Sequence, residues 1–354
     1  MVTERTTARH VVAVGASAGG VEALRDFVGG LPADLPAAVL VVTHLPEVGT
    51  SALPAILQRC GPLPAAAAQQ GEQLRAGCIY VAVNDRHLLV KGDRILLSDA
   101  PKQNRARPAI DALFRSAARW FDSRAVGVVL SGALDDGAAG AAAIAASGGG
   151  IAVQDPRDAQ IGSMPAAALA VVPDAAVAPA TRLGAEVQRL LLHHDSSSAV
   201  TVSDDTIREA EMMESPMAAG HGLTPGEPAA LSCPDCTGGM NVVRTGPAVH
   251  YLCHVGHAWS PHALAAAQRE KIEVALWTAV SMLEEQSAVH RQIAEQAARG
   301  GAALTIRHQL AAADEAMHAA GVIRQNFPDL LPALPEPQAA GFERRTVLPE
   351  AAGR

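Results

Sequence analysis

Aromatic side chains are almost missing from this chain, at 3% of 354 residues. A core of stacked rings is thereby excluded, and with alanine abundant the interior is expected to pack from small side chains with closely approaching helices. The apolar stretch near the start is short and broken by glycine, and Met1 to His10 before it is polar. Neither a signal peptide nor a membrane-spanning helix has that form, so a soluble cytoplasmic protein with no membrane insertion is expected. No long basic run occurs and the formal net charge is -8, which argues against a nucleic-acid partner. Cysteine is scarce as well: five residues, an odd number, three of them after position 230. That distribution suits a metal site rather than a secreted disulfide framework. Cys60 and Cys78 read as ordinary buried thiols.

What is present is organised around Val11-Val12-Ala13-Val14-Gly15-Ala16-Ser17-Ala18-Gly19-Gly20. A β-branched run breaks into small residues around one hydroxyl, which predicts a strand, a tight turn and a helix start, with Ser17 lifted to the carboxyl edge of the strand. A dinucleotide fingerprint would need glycine where Ser17 stands. Gly15-Ala16-Ser17-Ala18-Gly19 satisfies the short G-x-S-x-G nucleophile-elbow pattern instead. A serine that merely caps the helix is the third reading.

From Val11 to about Leu192, short β-like runs alternate with Ala-rich helical stretches. This predicts an α/β fold with a doubly wound, mostly parallel sheet in three αβα layers. Strands are expected at Val39 to Thr43, Cys78 to Ala82, Ala125 to Leu130 and Gly150 to Gln154. His87 to Val90 and Arg94 to Leu97 flank Lys91-Gly92-Asp93 and read as a hairpin added to the main sheet. Residues 193–230 collect serines, acids, prolines and glycines and read as a linker, with one short helix over Asp205 to Glu214.

In open α/β sheets ligands gather beyond the carboxyl ends of the strands. Three reactive side chains are expected there: Ser17 after the first strand, His44 directly after Val39 to Thr43, and the Asp135-Asp136-Gly137 turn after Ala125 to Leu130. They can form a Ser-His-Asp triad in which His44 takes the Ser17 proton and Asp136 orients the imidazole. The chain order serine, histidine, acid differs from that of an α/β-hydrolase.

Gly15 to Gly20, Thr43-His44-Leu45-Pro46, Arg107-Pro108-Ala109-Ile110-Asp111, Leu130 to Ala138 and Gly162-Ser163-Met164-Pro165 occur in that order. Together they resemble the CheB chemotaxis methylesterase catalytic domain over Val11 to Leu192. The resemblance implies hydrolysis of γ-glutamyl methyl esters on the cytoplasmic helical bundle of methylated chemoreceptors, with deamidation of receptor glutamines. It carries the triad to Ser17, His44 and Asp136 and requires no catalytic cofactor. Ala18 and Ala133 depart from the family's usual Thr or Ser and Met. The residues before Val11 leave no room for a receiver domain, so phosphorylation in cis is not expected. A binding module without catalysis and an esterase or amidase for a small molecule, which needs a deep pocket, are the alternatives. The expected organisation is a catalytic domain over 1–192, a linker over 193–230, a zinc-ribbon-like segment over 231–260, a helical hairpin over 261–327 and a disordered tail over 328–354.

Cys233-Pro234-Asp235-Cys236 and Cys253-His254-Val255-Gly256-His257 flank a short hairpin, Met240 to Leu252. The spacing predicts a structural Zn2+ held by Cys233, Cys236, Cys253 and His257. His254 is the rival ligand, although its place beside Cys253 makes joint binding awkward. Such a segment resembles small zinc ribbons attached to some receiver-less methylesterase-like proteins. After Ser260-Pro261, two helical stretches meet at Gly300-Gly301. Ile272, Leu276, Ala279, Leu283, Ile293 and Ala297 are expected to face Ile306, Leu310, Ala313, Met317 and Ala320 as internal core. A homo-oligomer or a signalling coiled coil built through these helices is the other use of the stripe.

Overall fold

The computed structural model describes residues 6–44, 49, 51–194, 202–215 and 224–330. Leu45 and Pro46 of the second motif, parts of the expected linker (195–201 and 216–223) and the tail beyond 330 lie outside the described residues. The chain divides into two compact units, Met1–Ala267 and Gln268–Arg354.

In the first unit the chain runs β1 (His10–Ala16), α1 (Gly20–Gly29), β2 (Ala37–Thr43), α2 (Leu53–Cys60), β3 (Ala65–Ala67) and β4 (Ile79–Val81). It continues through β5 (His87–Lys91), β6 (Arg94–Ser98), α3 (Ile110–Phe121), β7 (Ala125–Val129), α4 (Ala138–Ala146), β8 (Gly150–Gln154), α5 (Ser163–Val171), β9 (Ala176–Ala178) and α6 (Ala180–His194). Seven strands form one parallel sheet in the order β3-β4-β2-β1-β7-β8-β9. Every residue of β1 and β2 is buried, as expected for near-continuous apolar strands covered on both faces. On one face Val12, Val14, Val39 and Val41 pack with Leu24, Phe27, Leu57, Leu183 and Val187. On the other, Val11, Ala13, Leu40 and Val42 pack with Leu113, Phe114, Ile144 and Met164. This is the expected three-layer arrangement. Successive connections leave β1 toward β2 and then return past it to β7, so the topological switch point falls between β1 and β7.

Several details differ from the sequence reading. The β5–β6 hairpin does not join the main sheet and forms its own two-stranded sheet. Its Leu89 packs with Ala109 and Ala112 on and before α3, which takes it off the sheet edge. Cys60 and Cys78 are half-buried rather than buried. The expected linker contains α7 (Asp204–Glu214), opened by Ser203, whose side chain accepts from Thr206 N. This helix is packed, with Thr206, Glu209, Ala210, Met212 and Met213 buried. Buried Glu209 bonds His250 Nε2 at 2.7 Å and lies 3.4 Å from the buried Arg115 guanidinium, while Glu214 pairs with Lys91 and Arg119.

A four-stranded antiparallel sheet follows, ordered β10 (Glu227–Ser232), β11 (Gly239–Thr245), β12 (Ala248–Cys253) and β13 (Ala258–Trp259). Trp259, Met240, Cys233 and Cys253 pack there with Ala263, Leu264 and Ala267 from the start of α8 (Pro261–Arg299). It belongs to the same compact unit as the parallel sheet.

In the second unit, the rest of α8 and α9 (Ala303–Asn326) form the helical pair. Val280 and Ala320 are buried, with Leu276, Trp277, Leu283 and Ile323 packed against them. Ile272, Ile293, Leu310 and Met317, expected inside, are exposed. The two helices also meet through His290 to Gln309 at 2.6 Å and the Arg324–Glu284 ion pair.

Candidate active site

Ser17 lies one residue beyond β1 and three before α1, in a turn whose Gly19 caps the helix with φ of 71°. A side chain at Gly19 would meet Gln160 and Ser131 within 3 Å, besides straining the left-handed backbone. The turn is held from the next loop. Ser17 N donates to Ser131 O at 2.9 Å, and the buried Ser131 hydroxyl donates to Ala18 O at 2.8 Å and accepts from Ile161 N at 3.0 Å. The loop opening α5 is tied in by Gly132 N to Ile161 O and Met164 N to Gly132 O, both at 3.0 Å.

The three strand-end residues come together although 27 and 92 positions separate successive members. Ser17 Oγ is 3.0 Å from His44 Nδ1, and His44 Nε2 is 2.8 Å from Asp136 Oδ2. Because a carboxylate only accepts, Nε2 carries the proton and Nδ1 is free to accept from the serine hydroxyl. Ser17 and His44 are half-buried, whereas Asp136 is only 2% exposed. Asp135 faces away, accepting from Ser260 Oγ and from His262 Nδ1 at 2.8 Å.

Asp136 is placed by two local devices. Gly137 caps α4 with φ of 94°, and a Cβ there would stand 2.8 Å from Ile110. The carboxylate accepts from Ile110 N at 2.8 Å and Asp111 N at 3.1 Å, at the positive end of α3. Burial would raise its pKa, yet the His44 hydrogen bond and charge, with the two backbone donors, bring it down to about 2. Asp111, also buried, moves the other way: burial first, then the Asp136 charge, pushes it up to about 7. For His44, burial works against the cation, but the Asp136 hydrogen bond and charge outweigh it and raise the pKa.

Sequence reading missed Asn104, whose Nδ2 lies 3.1 Å from Asp136 Oδ1 and 3.2 Å from Asp111 Oδ2. Asp111 enters the sequence pattern only within the Arg107-Pro108-Ala109-Ile110-Asp111 motif. Neither has a sequence signal of its own, since both act through tertiary neighbours.

Cys233, Cys236, Cys253 and His257 bring one ligand atom each to within 4.8 Å of one another. Cys236 Sγ to Cys253 Sγ is 3.6 Å and Cys253 Sγ to His257 Nδ1 is 3.5 Å. Tetrahedral zinc with bonds of about 2.0–2.3 Å sets its ligands roughly 3.3–3.8 Å apart, and both of these separations fit such an ion. Asp235 stands 4.0 Å from the other ring nitrogen of His257, where an outer carboxylate would orient a ligating imidazole. His254 is outside the cluster, its ring against Gly238.

The CheB methylesterase family model matches residues 12–187. A protein-glutamate methylesterase/protein-glutamine glutaminase of Maricaulis maris is 36% identical over 170 residues, 47% of this chain and 42% of that protein. The protein-glutamate methylesterase/protein-glutamine glutaminase 2 of Caulobacter vibrioides is 40% identical over 180 residues, 49% of this chain and 52% of that one. The crystal structure of the Thermotoga maritima CheB methylesterase catalytic domain matches at 29% identity, covering 51% of this chain and 98% of that chain, with a TM-score of 0.49. The chain spans about half the length of the curated relatives it matches. Residues 12–187, which carry Ser17, His44 and Asp136 at one sheet edge, are a CheB methylesterase family domain.

Proposed function

We propose that this chain is a protein-glutamate methylesterase whose triad is Ser17, His44 and Asp136. The reading is carried by one observation, the unbroken line from Ser17 Oγ through His44 to Asp136 at 3.0 and 2.8 Å. His44 Nδ1 takes the serine proton as Oγ attacks the γ-ester carbon of a methylated glutamate, while Asp136 stabilises the imidazolium. Collapse of the tetrahedral intermediate passes the proton from Nδ1 to the departing methanol. A water, deprotonated by the same nitrogen, then releases the glutamate side chain. A glutamine side chain would follow the same steps and release ammonia, the second reaction in the relatives' names. The positive end of α1, beside Ser17, supplies backbone amides near the developing oxyanion. No step needs a cofactor.

The substrate is read as the cytoplasmic helical bundle of a methylated chemoreceptor. Leu134 and Ile161, on the two loops tied together beside Ser17, are 50% and 38% exposed, an apolar rim suited to a helix surface. Among the described residues no helix is long and apolar enough to cross a membrane, in keeping with a cytoplasmic site of action. Exposed Ile272 and Ile293 are what a homo-oligomer through the C-terminal helices would cover. Methanol release from a methylated receptor fragment tests the activity directly, and an inactive wild-type protein would leave the binding-module reading in its place.

The same assay carries a pH prediction. His44 must be neutral to accept the proton, and its folded pKa lies above the ordinary value of 6.5. Activity is therefore lost as pH falls through a point above 6.5. In Asp136→Asn the larger raising partner is gone and only the weaker Asp111 charge opposes burial, so whatever activity survives loses its acid limb at lower pH. A limb that stays in place in the variant would contradict His44 as the base.

For the C-terminal cluster we propose a structural zinc ion on Cys233, Cys236, Cys253 and His257, with no open position for catalysis. Metal analysis of the purified chain is expected to find a single zinc. Cys233→Ser should lose it, whereas His254→Ala should keep it; loss in His254→Ala would reassign the fourth ligand.

A further inference from the structure

The C-terminal antiparallel sheet reaches the candidate acid through one side chain. Asn104 N donates to Ala258 O at 2.8 Å, and Ser260 N donates to Asn104 Oδ1 at 2.7 Å. The other end of the same amide, Nδ2, donates to Asp136 Oδ1 and Asp111 Oδ2 at 3.1 and 3.2 Å. This pattern fixes which way the amide points: a backbone N–H needs the oxygen and two carboxyl groups need the NH2. Asn104 has φ of 50°, in the left-handed region where asparagine is among the few residues at ease. Its amide bridges two buried carboxyl groups that repel one another, donating to both.

Behind Asn104 stands the sulfur cluster. His257 immediately precedes β13, and its carbonyl accepts from Cys253 N at 3.0 Å. The turn that presents His257 to the three cysteines thus runs directly into the two residues and the following N–H that hold Asn104. Ser260 Oγ and His262 Nδ1 grip Asp135, the neighbour of the acid, from the same direction. Of the four groups that donate to Asp136, Asn104 is the one whose own orientation is set by residues beyond 187.

We propose that Asn104 is a positioning residue for Asp136, and that the metal-bearing C-terminal sheet orients it through Ala258 and Ser260. The extension thereby completes the esterase site rather than hanging from it. This inference rests on the triad reading above.

The test uses the full-length chain and two rates: labelling of Ser17 by a fluorophosphonate, which needs no receptor, and methanol release from a methylated receptor fragment. Glycine accepts positive φ, so Asn104→Gly removes the amide without straining the backbone. Of the bonds lost, the charge-assisted one to Asp136 predicts about a tenfold fall in labelling rate and in kcat, with KM unchanged. Cys236→Ser, with zinc content measured alongside, should slow labelling similarly. The double variant should be no slower than the slower single one, because both act through one contact. If Cys236→Ser yields too little folded chain, chelation gives the same comparison, slowing the wild type but not Asn104→Gly. Unchanged labelling in Asn104→Gly, a raised KM in place of a lowered kcat, or losses that multiply in the double variant each overturn the proposal. A wild-type chain inert to both reagents overturns the triad reading together with it, whereas a reactive wild type matched by Asn104→Gly overturns the positioning role alone.

Discussion

Ser17→Ala is expected to reduce methanol release from a methylated receptor fragment by at least about 10^3-fold, since removing a triad nucleophile costs far more than removing a supporting contact. The change deletes one oxygen at a half-buried turn, and the Ser131 bonds that hold the turn go to the Ser17 and Ala18 backbone. Fold and receptor affinity should therefore survive. His44→Ala should be similarly inactive, because among the described residues Nδ1 is the group in hydrogen-bond contact that accepts the Oγ proton. The measurement is kcat with receptor binding followed separately. Activity within tenfold of wild type for Ser17→Ala would remove Ser17 from the reaction.

Glu209→Ala should be the most damaging single change for stability. Its carboxylate is 2% exposed and serves both Arg115 and His250, themselves buried. Burial alone would raise its pKa, but the charges of His250 and Arg115 keep it below the usual glutamate value. Removing the anion strands the Arg115 cation without its counter-charge, a loss of about 3–5 kcal/mol. For a unit of this size that lowers Tm by roughly 10 °C. Glu211→Ala on the same helix is the comparison: that residue pairs with Arg119 from a half-exposed position and should cost at most about 1 kcal/mol. Equal melting temperatures for the two variants would show that the buried network carries no stability.

The contrast between those two glutamates illustrates what the sequence could disclose. Ser17, His44 and Asp136 were legible because each follows a β-branched strand, and parallel strands in a doubly wound sheet deliver their carboxyl ends to one edge. The ring nitrogen that faces the serine was not legible, because it depends on how the chain leaves β2. Cysteine spacing announced the sulfur cluster, since a metal turn is local. Asn104 and Glu209 were invisible for the opposite reason: a polar residue in a loop or a short acidic helix has the same local pattern whether or not it is buried. The reading of 193–230 as a linker includes the helix over α7 but not the burial of its inner face, through this ambiguity. The helical stripe is right at Leu276, Leu283, Ala313 and Ala320 and wrong at Ile272, Ile293, Leu310 and Met317, because apolar residues at helical spacing fit either edge of the stripe and only the partner helix chooses between them.

One consequence of the α7 strap concerns where this protein can be cut. The family match ends at 187, whereas the buried cation on α3 and the backbone beneath β6 are covered by residues 204–214. The segment inherited in common and the segment that folds are therefore of different lengths. A fragment trimmed to the family boundary would expose Arg115 without its glutamate and the Ser98 hydroxyl without the Met213 carbonyl. Such a fragment should express poorly or resist concentration, and its inactivity would say nothing about Ser17.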